Sequence, residues 1–304
     1  MRIYTHADCI AHSVPEGHPE RPARLSHLLG HLDAVGITQD YPLLTAPAID
    51  DRAVDAAHHS AHLAGLRSQQ PIATVIDLDP DTWMGPRSLD AARYAAGAVW
   101  QGVQDVVTGD ERRVFCAVRP PGHHAELQSA MGFCLLNSVA IAAIGALALP
   151  EIHRVAVLDF DVHHGNGTVD LCKDLPEILV CSSFQHPYYP GRMHDIERPN
   201  IVNTPLAAGT DGREFRAAIA RDWWPALEHH QPDLILVSAG FDAHQDDPLA
   251  QLALGETDFA WITAEIVDRA QDMAQGRVVS ALEGGYDLEA LARSVTAHLE
   301  ALTN

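Results

Sequence analysis

Residues 155–168 read VAVLDFDVHHGNGT. The first four, Val155 to Leu158, form a short apolar run of the kind found in strands covered on both faces. The segment that follows at once is polar and glycine-bearing, with two aspartates and two adjacent histidines. Comparable apolar runs stand at Val114 to Val118, Ile178 to Cys181, Leu234 to Val237 and Val278 to Leu282. Helical stretches lie between them at Asn137 to Leu149, Arg213 to His230 and Thr257 to Gln275. Continuous apolar strands alternating with helices predict an α/β fold, a parallel sheet with helices on both faces. Toward the N-terminus, Pro19 to Gly36 carries Leu25, Leu28, Leu29, Leu32 and Val35 at helical spacing. Ser88 is expected to cap a second amphipathic helix that runs to Val107 and stops at Gly109. No repeat, low-complexity stretch or linker divides the chain, so residues 1–304 read as a single domain.

Composition narrows the functional classes. Hydrophobic residues make up 47% and charged residues 20% of the 304, the balance of a folded, soluble protein. The 20 basic and 41 acidic residues leave a formal charge of −21, and Lys173 is the only lysine. Such a surface repels phosphate backbones, so nucleic acid is excluded as a direct partner, whereas a cationic substrate would be attracted. The five cysteines (Cys9, Cys116, Cys134, Cys172, Cys181) are scattered without a CxxC pair. They fit reduced thiols in a cytoplasmic protein rather than a disulfide framework. The N-terminus has no secretory h-region. The longest apolar run, Val139 to Leu149, is too short to cross a bilayer, so no membrane role is expected. Oligomeric state is left open.

In open parallel sheets, ligands bind beyond the carboxyl ends of the strands. Four segments there carry chemistry: RPPGHHAE, DFDVHHGNGT, SAGFDAH and EGGYD. In extended chain alternate side chains share a face, so Asp161 and His163 point the same way and can grip one ion. Asp242, beyond another strand, supplies a third ligand, which leaves the open position a catalytic metal needs. Each of these residues alone would more often cap a helix or bind a backbone amide. Adjacent histidine pairs at two strand ends, with an aspartate at a third, are not explained that way. If His123 and His124 were ligands too, hydrolysis of an unactivated amide would lack a group to take the water proton and return it to the amine. They are therefore assigned to proton transfer, with Asp159 and Asn166 as candidate partners that fix their tautomers. Tyr286, freed by Gly284 and Gly285, is a candidate donor to the oxyanion. Phe133 and the pair Tyr188 and Tyr189 are candidates for a narrow apolar passage. GxxxxGK[ST], GxSxG and HExxH are absent, which removes phosphate-loop, serine-hydrolase and zincin chemistry.

HPERPARL at 18–25, RPPGHHA at 119–125, GFCLLN at 132–137, DFDVHHGNGT at 159–168, SAGFDAH at 238–244 and LEGGYDL at 282–288 together resemble the histone deacetylase superfamily. The likeness runs in order over nearly the whole chain. It implies the single-domain arginase/deacetylase fold with an eight-stranded parallel sheet. It also implies that Asp161, His163 and Asp242 hold zinc, that His123 and His124 handle protons, and that Tyr286 polarises the acyl carbonyl. Phe133, Tyr189 and Leu249 would line an acyl-lysine tunnel. Asp159, with Asp161, His163, Ser183 and Phe184, resembles the family's buried potassium site. Asn166 stands where nuclear members have aspartate and is similar to the class II and bacterial amidohydrolase branch. A neutral partner there leaves His124 less basic than an aspartate would.

The expected activity is removal of an acetyl or other acyl group from lysine or a related amine. Iron(II) or cobalt also suits such a carboxylate-rich site. An acetylpolyamine amidohydrolase is the first rival. Leu249 counts against it, because the corresponding residue in polyamine-specific relatives resembles a glutamate gatekeeper. A binuclear manganese ureohydrolase shares the fold but needs further bridging carboxylates, and the motif offers His164 and Gly165 instead. A non-catalytic acyl binder would be favoured by loss of a histidine or Tyr286, and all are present.

Overall fold

The computed structural model describes residues 1–303. Ten strands occur among them: β1 (Arg2–Thr5), β2 (Leu43–Thr45), β3 (Ile76–Asp79), β4 (Thr82–Met84), β5 (Arg113–Cys116), β6 (Val155–Asp159), β7 (Ile178–Gln185), β8 (Ile201–Leu206), β9 (Leu234–Ala239) and β10 (Val278–Leu282). Eight form one sheet in the order β2-β1-β5-β10-β9-β6-β7-β8, parallel throughout. β3 and β4 form a separate antiparallel hairpin. The central strands β6, β9 and β10 are buried at every residue, which is why they read as unbroken apolar runs.

Helices cover the sheet at the positions the periodicity implied, with shifted ends. Asn137 caps the helix Ser138–Ala146, its side chain accepting from Ala140 N–H. Asp211 and Glu214 form a reciprocal capping box on the helix Gly212–His230. The helix Glu256–Met273 follows β9, and Leu288–Leu302 follows β10. Two expectations are corrected. Ser88 is the first residue of the helix Ser88–Thr108 and not its cap, because its hydroxyl accepts from Gly85 N–H at 2.7 Å and pairs with His12 Nδ1 at 2.6 Å. The first long helix covers Ala23–Ala34 rather than Pro19 to Gly36. The chain before it turns to bury Glu20, and Val35 beyond it is 50% exposed.

Gly102 is fixed by packing. A Cβ at Gly102 would lie 2.8 Å from Val279 and 2.9 Å from Val114, so a bare backbone lets the helix Ser88–Thr108 rest on β5 and β10. Among the described residues no helix is long and apolar enough to cross a membrane. With all strands parallel, the C-terminal ends of β5, β6, β9 and β10 open onto one edge of the sheet, and the four polar segments of the sequence emerge there.

Candidate active site

β6 ends at Asp159, and the chain then carries Asp161 and His163 over the sheet edge, where Asp242 arrives from β9. His163 Nδ1 lies 3.1 Å from Asp161 Oδ1 and 3.1 Å from Asp242 Oδ2. One imidazole nitrogen carries at most one proton, so it cannot donate fully to both carboxylates. Ligand atoms placed tetrahedrally at zinc distances would be about 3.3 Å apart, close to this spacing. These three residues are the one group of His, Cys, Asp and Glu among the described residues arranged to hold an ion, and all three are buried. Burial alone would discharge His163, but hydrogen bonds and charge from Asp161 and Asp242 push it up to about 10, so the site demands positive charge. Burial works against ionisation of Asp161, and the neighbouring imidazoles nevertheless hold its carboxyl below the usual range.

Backbone around the carboxylates is built to admit them. A Cβ at Gly240 would lie 2.1 Å from Asp161 Oδ2, and one at Gly284 would lie 2.1 Å from Asp242 Oδ2. Gly284 N–H instead donates to Asp161 Oδ2 at 2.8 Å, and Val162 N–H donates to Asp242 Oδ1 at 2.9 Å. The glycines of SAGFD and EGGYD are therefore part of the site.

The histidine pair sits beside this group, its rings 4.0 Å apart. His123 Nδ1 meets Asp159 Oδ2 at 2.9 Å, and His124 Nδ1 meets Asn166 Oδ1 at 2.6 Å. The partners expected from sequence are the partners observed. Burial opposes charge on both rings, yet Asp159 and Asp161 raise His123 well above the ordinary histidine value. His124, with a neutral partner and two neighbouring imidazoles, is lowered well below it. Two adjacent histidines held at opposite ends of the range suit a pair that divides acid and base work. Glu283, raised to about 7 by burial, holds the loop beneath them, its Oε2 accepting from Gly122 N–H at 2.6 Å and His123 N–H at 3.2 Å.

A cavity of about 170 Å³ leads inward, with His124, His163 and Tyr286 at its lining. Phe133, Tyr188, Tyr189 and Leu249 make its apolar walls, and Asp81 adds one carboxylate. A roomier surface hollow of about 270 Å³ lies beside His62 and Asp79, but none of the histidine or carboxylate groups above lines it. Phe133 has φ +68°, costly for a bulky residue. Its N–H donates to Thr82 Oγ1 at 3.0 Å, and Gly132 N–H donates to Asp81 Oδ1 at 3.0 Å. The turn between β3 and β4 thus holds this backbone in place against His124, whose Cδ2 would meet a Cβ on Gly132 at 2.3 Å.

Tyr286 is buried, and burial raises its phenol well above the usual value, so it remains a proton donor. Its N–H donates to Asp247 Oδ2 at 2.7 Å, and the Arg24 guanidinium lies 4.8 Å from its ring centroid. β6 pairs with β7, which carries Ser183 and Phe184, and Asp159 at its end is in register with Ser182. Arg24, Asp81, Thr82 and Asp247 were assigned no role from the sequence. Arg24 stands inside the quoted HPERPARL motif, where its arginine was a usable signal; the others had none.

The histone deacetylase domain profile matches residues 18–302. The chain is 40% identical over 306 residues to an uncharacterized protein of Synechocystis sp., covering 99% of this chain and 98% of that one. It is 35% identical to the histone deacetylase-like amidohydrolase of Pseudomonas aeruginosa, covering 89% and 73%. A probable deacetylase of Archaeoglobus fulgidus is 31% identical, covering 94% and 81%. The crystal structure of the HDA15 HD domain superimposes with a TM-score of 0.92 at 31% identity, covering 99% of this chain and 87% of that one. Likeness of this extent, in sequence and in the path of the backbone alike, places the chain in the histone deacetylase domain family.

Proposed function

We propose that residues 1–304 form one catalytic domain that removes an acetyl or other acyl group from a lysine side chain or related amine, using zinc held by Asp161, His163 and Asp242. The observation that carries this is the convergence of the three ligand atoms beside an apolar-walled cavity whose lining includes His163. The donor set fits the ion: two carboxylates and one imidazole leave a coordination position free for water or substrate. When bound, the metal supplies Lewis-acid polarisation of the carbonyl and acidifies the attacking water.

The chain's own residues do the rest. The aromatic walls admit a slender acyl-amine arm and exclude bulk water. With Nδ1 of each ring engaged by Asp159 or Asn166, Nε2 is the nitrogen left to His123 and His124 for proton transfer. The weakly basic His124, which lines the cavity, takes the water proton. His123, kept charged by Asp159, supports return of a proton to the leaving amine. Tyr286 donates its hydroxyl to the oxyanion. Potassium at Asp159, Asp161, His163, Ser183 and Phe184 would neutralise part of the buried acidic charge. The five cysteines are free and buried, which supports a reducing, cytoplasmic setting.

One observation favours a second reading. Asp81 in the cavity lining would suit a cationic arm, as in an acetylpolyamine, while Leu249 opposes it. A panel of acyl-lysine peptides and acylated polyamines, assayed with and without a chelator, separates the two. Activity on acyl-lysine that is abolished by chelator and restored by zinc is expected. A strong polyamine preference favours the second reading, and chelator-resistant hydrolysis overturns the metal assignment.

A further inference from the structure

Asp247 lies outside the groups assigned above, yet it touches two of them. Its Oδ1 accepts from Leu249 N–H at 3.0 Å, a local turn of an ordinary kind. Its Oδ2 reaches a segment 39 residues away, accepting from Tyr286 N–H at 2.7 Å and from Asp287 N–H at 3.4 Å. Leu249 is held at its other end too, since its carbonyl accepts from the Tyr188 hydroxyl. The Tyr188 ring in turn stacks on His163, centroids 5.6 Å apart.

Asp247 is 7% exposed, and burial, together with the like charge of Asp242, raises its carboxyl to about 7. Burying an anion without a cation is costly. An asparagine would avoid that cost, but its amide has a single oxygen. One of the two N–H groups would then face an NH2 instead of an acceptor. Only a carboxylate clamps both segments at once.

We propose that Asp247 is a positioning residue that ties the tunnel wall at Leu249 to the backbone of Tyr286, so that one side chain sets both tunnel width and oxyanion-donor placement. The inference rests on the reading of the site as an acyl-amine hydrolase.

The test is a double-mutant cycle on the zinc-loaded full chain: wild type, D247N, Y286F and D247N/Y286F, with kcat and KM measured on acetyl-lysine and butyryl-lysine peptides. D247N is expected to lower kcat by about tenfold or more, since ångström-scale misplacement costs up to about 10²-fold. It should also raise KM and shift the acetyl-to-butyryl ratio through Leu249. The double variant should turn over within about twofold of Y286F alone, because no hydroxyl remains to be misplaced. Multiplicative losses, or an unchanged kcat in D247N, overturn the proposal. Should D247N fail to fold by circular dichroism, D247S enters the same cycle, its hydroxyl accepting from one N–H at most. An inactive wild type overturns the reading of the site itself, whereas an active wild type with multiplicative losses overturns the Asp247 inference alone.

Discussion

Replacing Arg24 by methionine should damage turnover more than its distance from the reacting atoms suggests. The guanidinium is fully buried and donates from Nη2 to Glu283 O at 2.6 Å, from Nε to Gly285 O at 2.5 Å, and from Nη1 to Glu20 Oε1 at 3.0 Å. Glu20 keeps its partner when Arg24 is lost, because Arg119 grips both its oxygens at 2.5 and 2.7 Å. The carbonyls of Glu283 and Gly285 have no such substitute. Two buried acceptors left unpaired cost about 1–3 kcal/mol each. Loss of the cation facing the Tyr286 ring adds about 0.5–2 kcal/mol. A destabilisation of about 2.5–8 kcal/mol is expected, a large share of a domain's margin of about 5–15 kcal/mol. The two carbonyls lie in the segment that leads directly into Tyr286, so the same change frees the loop that aims its hydroxyl. At a temperature where the variant is folded, kcat should fall about 10²-fold, bounded by removal of the hydroxyl itself. Arg24→Lys keeps the charge but lacks the fork, and should recover part of the stability and less of the rate. Thermal melts paired with kcat on an acetyl-lysine peptide decide it. A lowered Tm with kcat within twofold of wild type would falsify the positioning role and leave Arg24 a structural residue.

Tyr286→Phe should lower kcat by about 10²–10³-fold while zinc content by metal analysis stays at one ion per chain; full turnover would remove the oxyanion role. Leu249→Glu places a carboxylate on the cavity wall and should move kcat/KM toward acetylated polyamines and away from acetyl-lysine, and an unmoved ratio would show that this position does not select the amine. Stability should also decline in mild acid through two core histidines. Burial holds His58 and His298 down to about 3 from an ordinary 6.5, so the unfolded chain takes up protons that the fold refuses. Their contribution is whole above pH 6.5 and is lost as pH falls toward 3, which amounts to about 2 kcal/mol each between pH 7.5 and 5. Urea titrations at those two pH values check this, and equal midpoints would refute it.

How much could be read in advance follows from how each feature is encoded. β6, β9 and β10 were legible because both faces are covered, which forces apolar residues at every position. β1 and β2 escaped notice because they are four and three residues long and partly exposed. β8 escaped because Pro205 and polar residues interrupt it, which only the outer strand of a sheet tolerates. The metal and histidine groups were legible because their residue types are chemically unusual at strand ends, and because close approach to Asp161 and Asp242 requires glycine at 240 and 284.

The contacts of the supporting residues were not legible, even for Arg24 in its motif, for a different physical reason. Arg24 acts on carbonyls 259 and 261 positions away, Asp247 on an amide 39 away, and Asp81 and Thr82 on amides 51 away. In each case one partner is a backbone group, which every residue possesses, so the sequence at the far end carries no trace of the bond. Yet these bonds hold what apolar packing cannot. A phenylalanine at φ +68° is kept in place by Thr82, and the tyrosine after Gly285 is held by Arg24 beneath and Asp247 beside it. Dispersion forces are non-directional, whereas a buried hydrogen bond fixes an angle as well as a distance. In the proposed mechanism, presenting one carbonyl to the Tyr286 hydroxyl needs that angular control. Substitutions at these supporting positions should therefore alter rate and selectivity before they abolish folding, and substitutions in the buried strands should do the reverse.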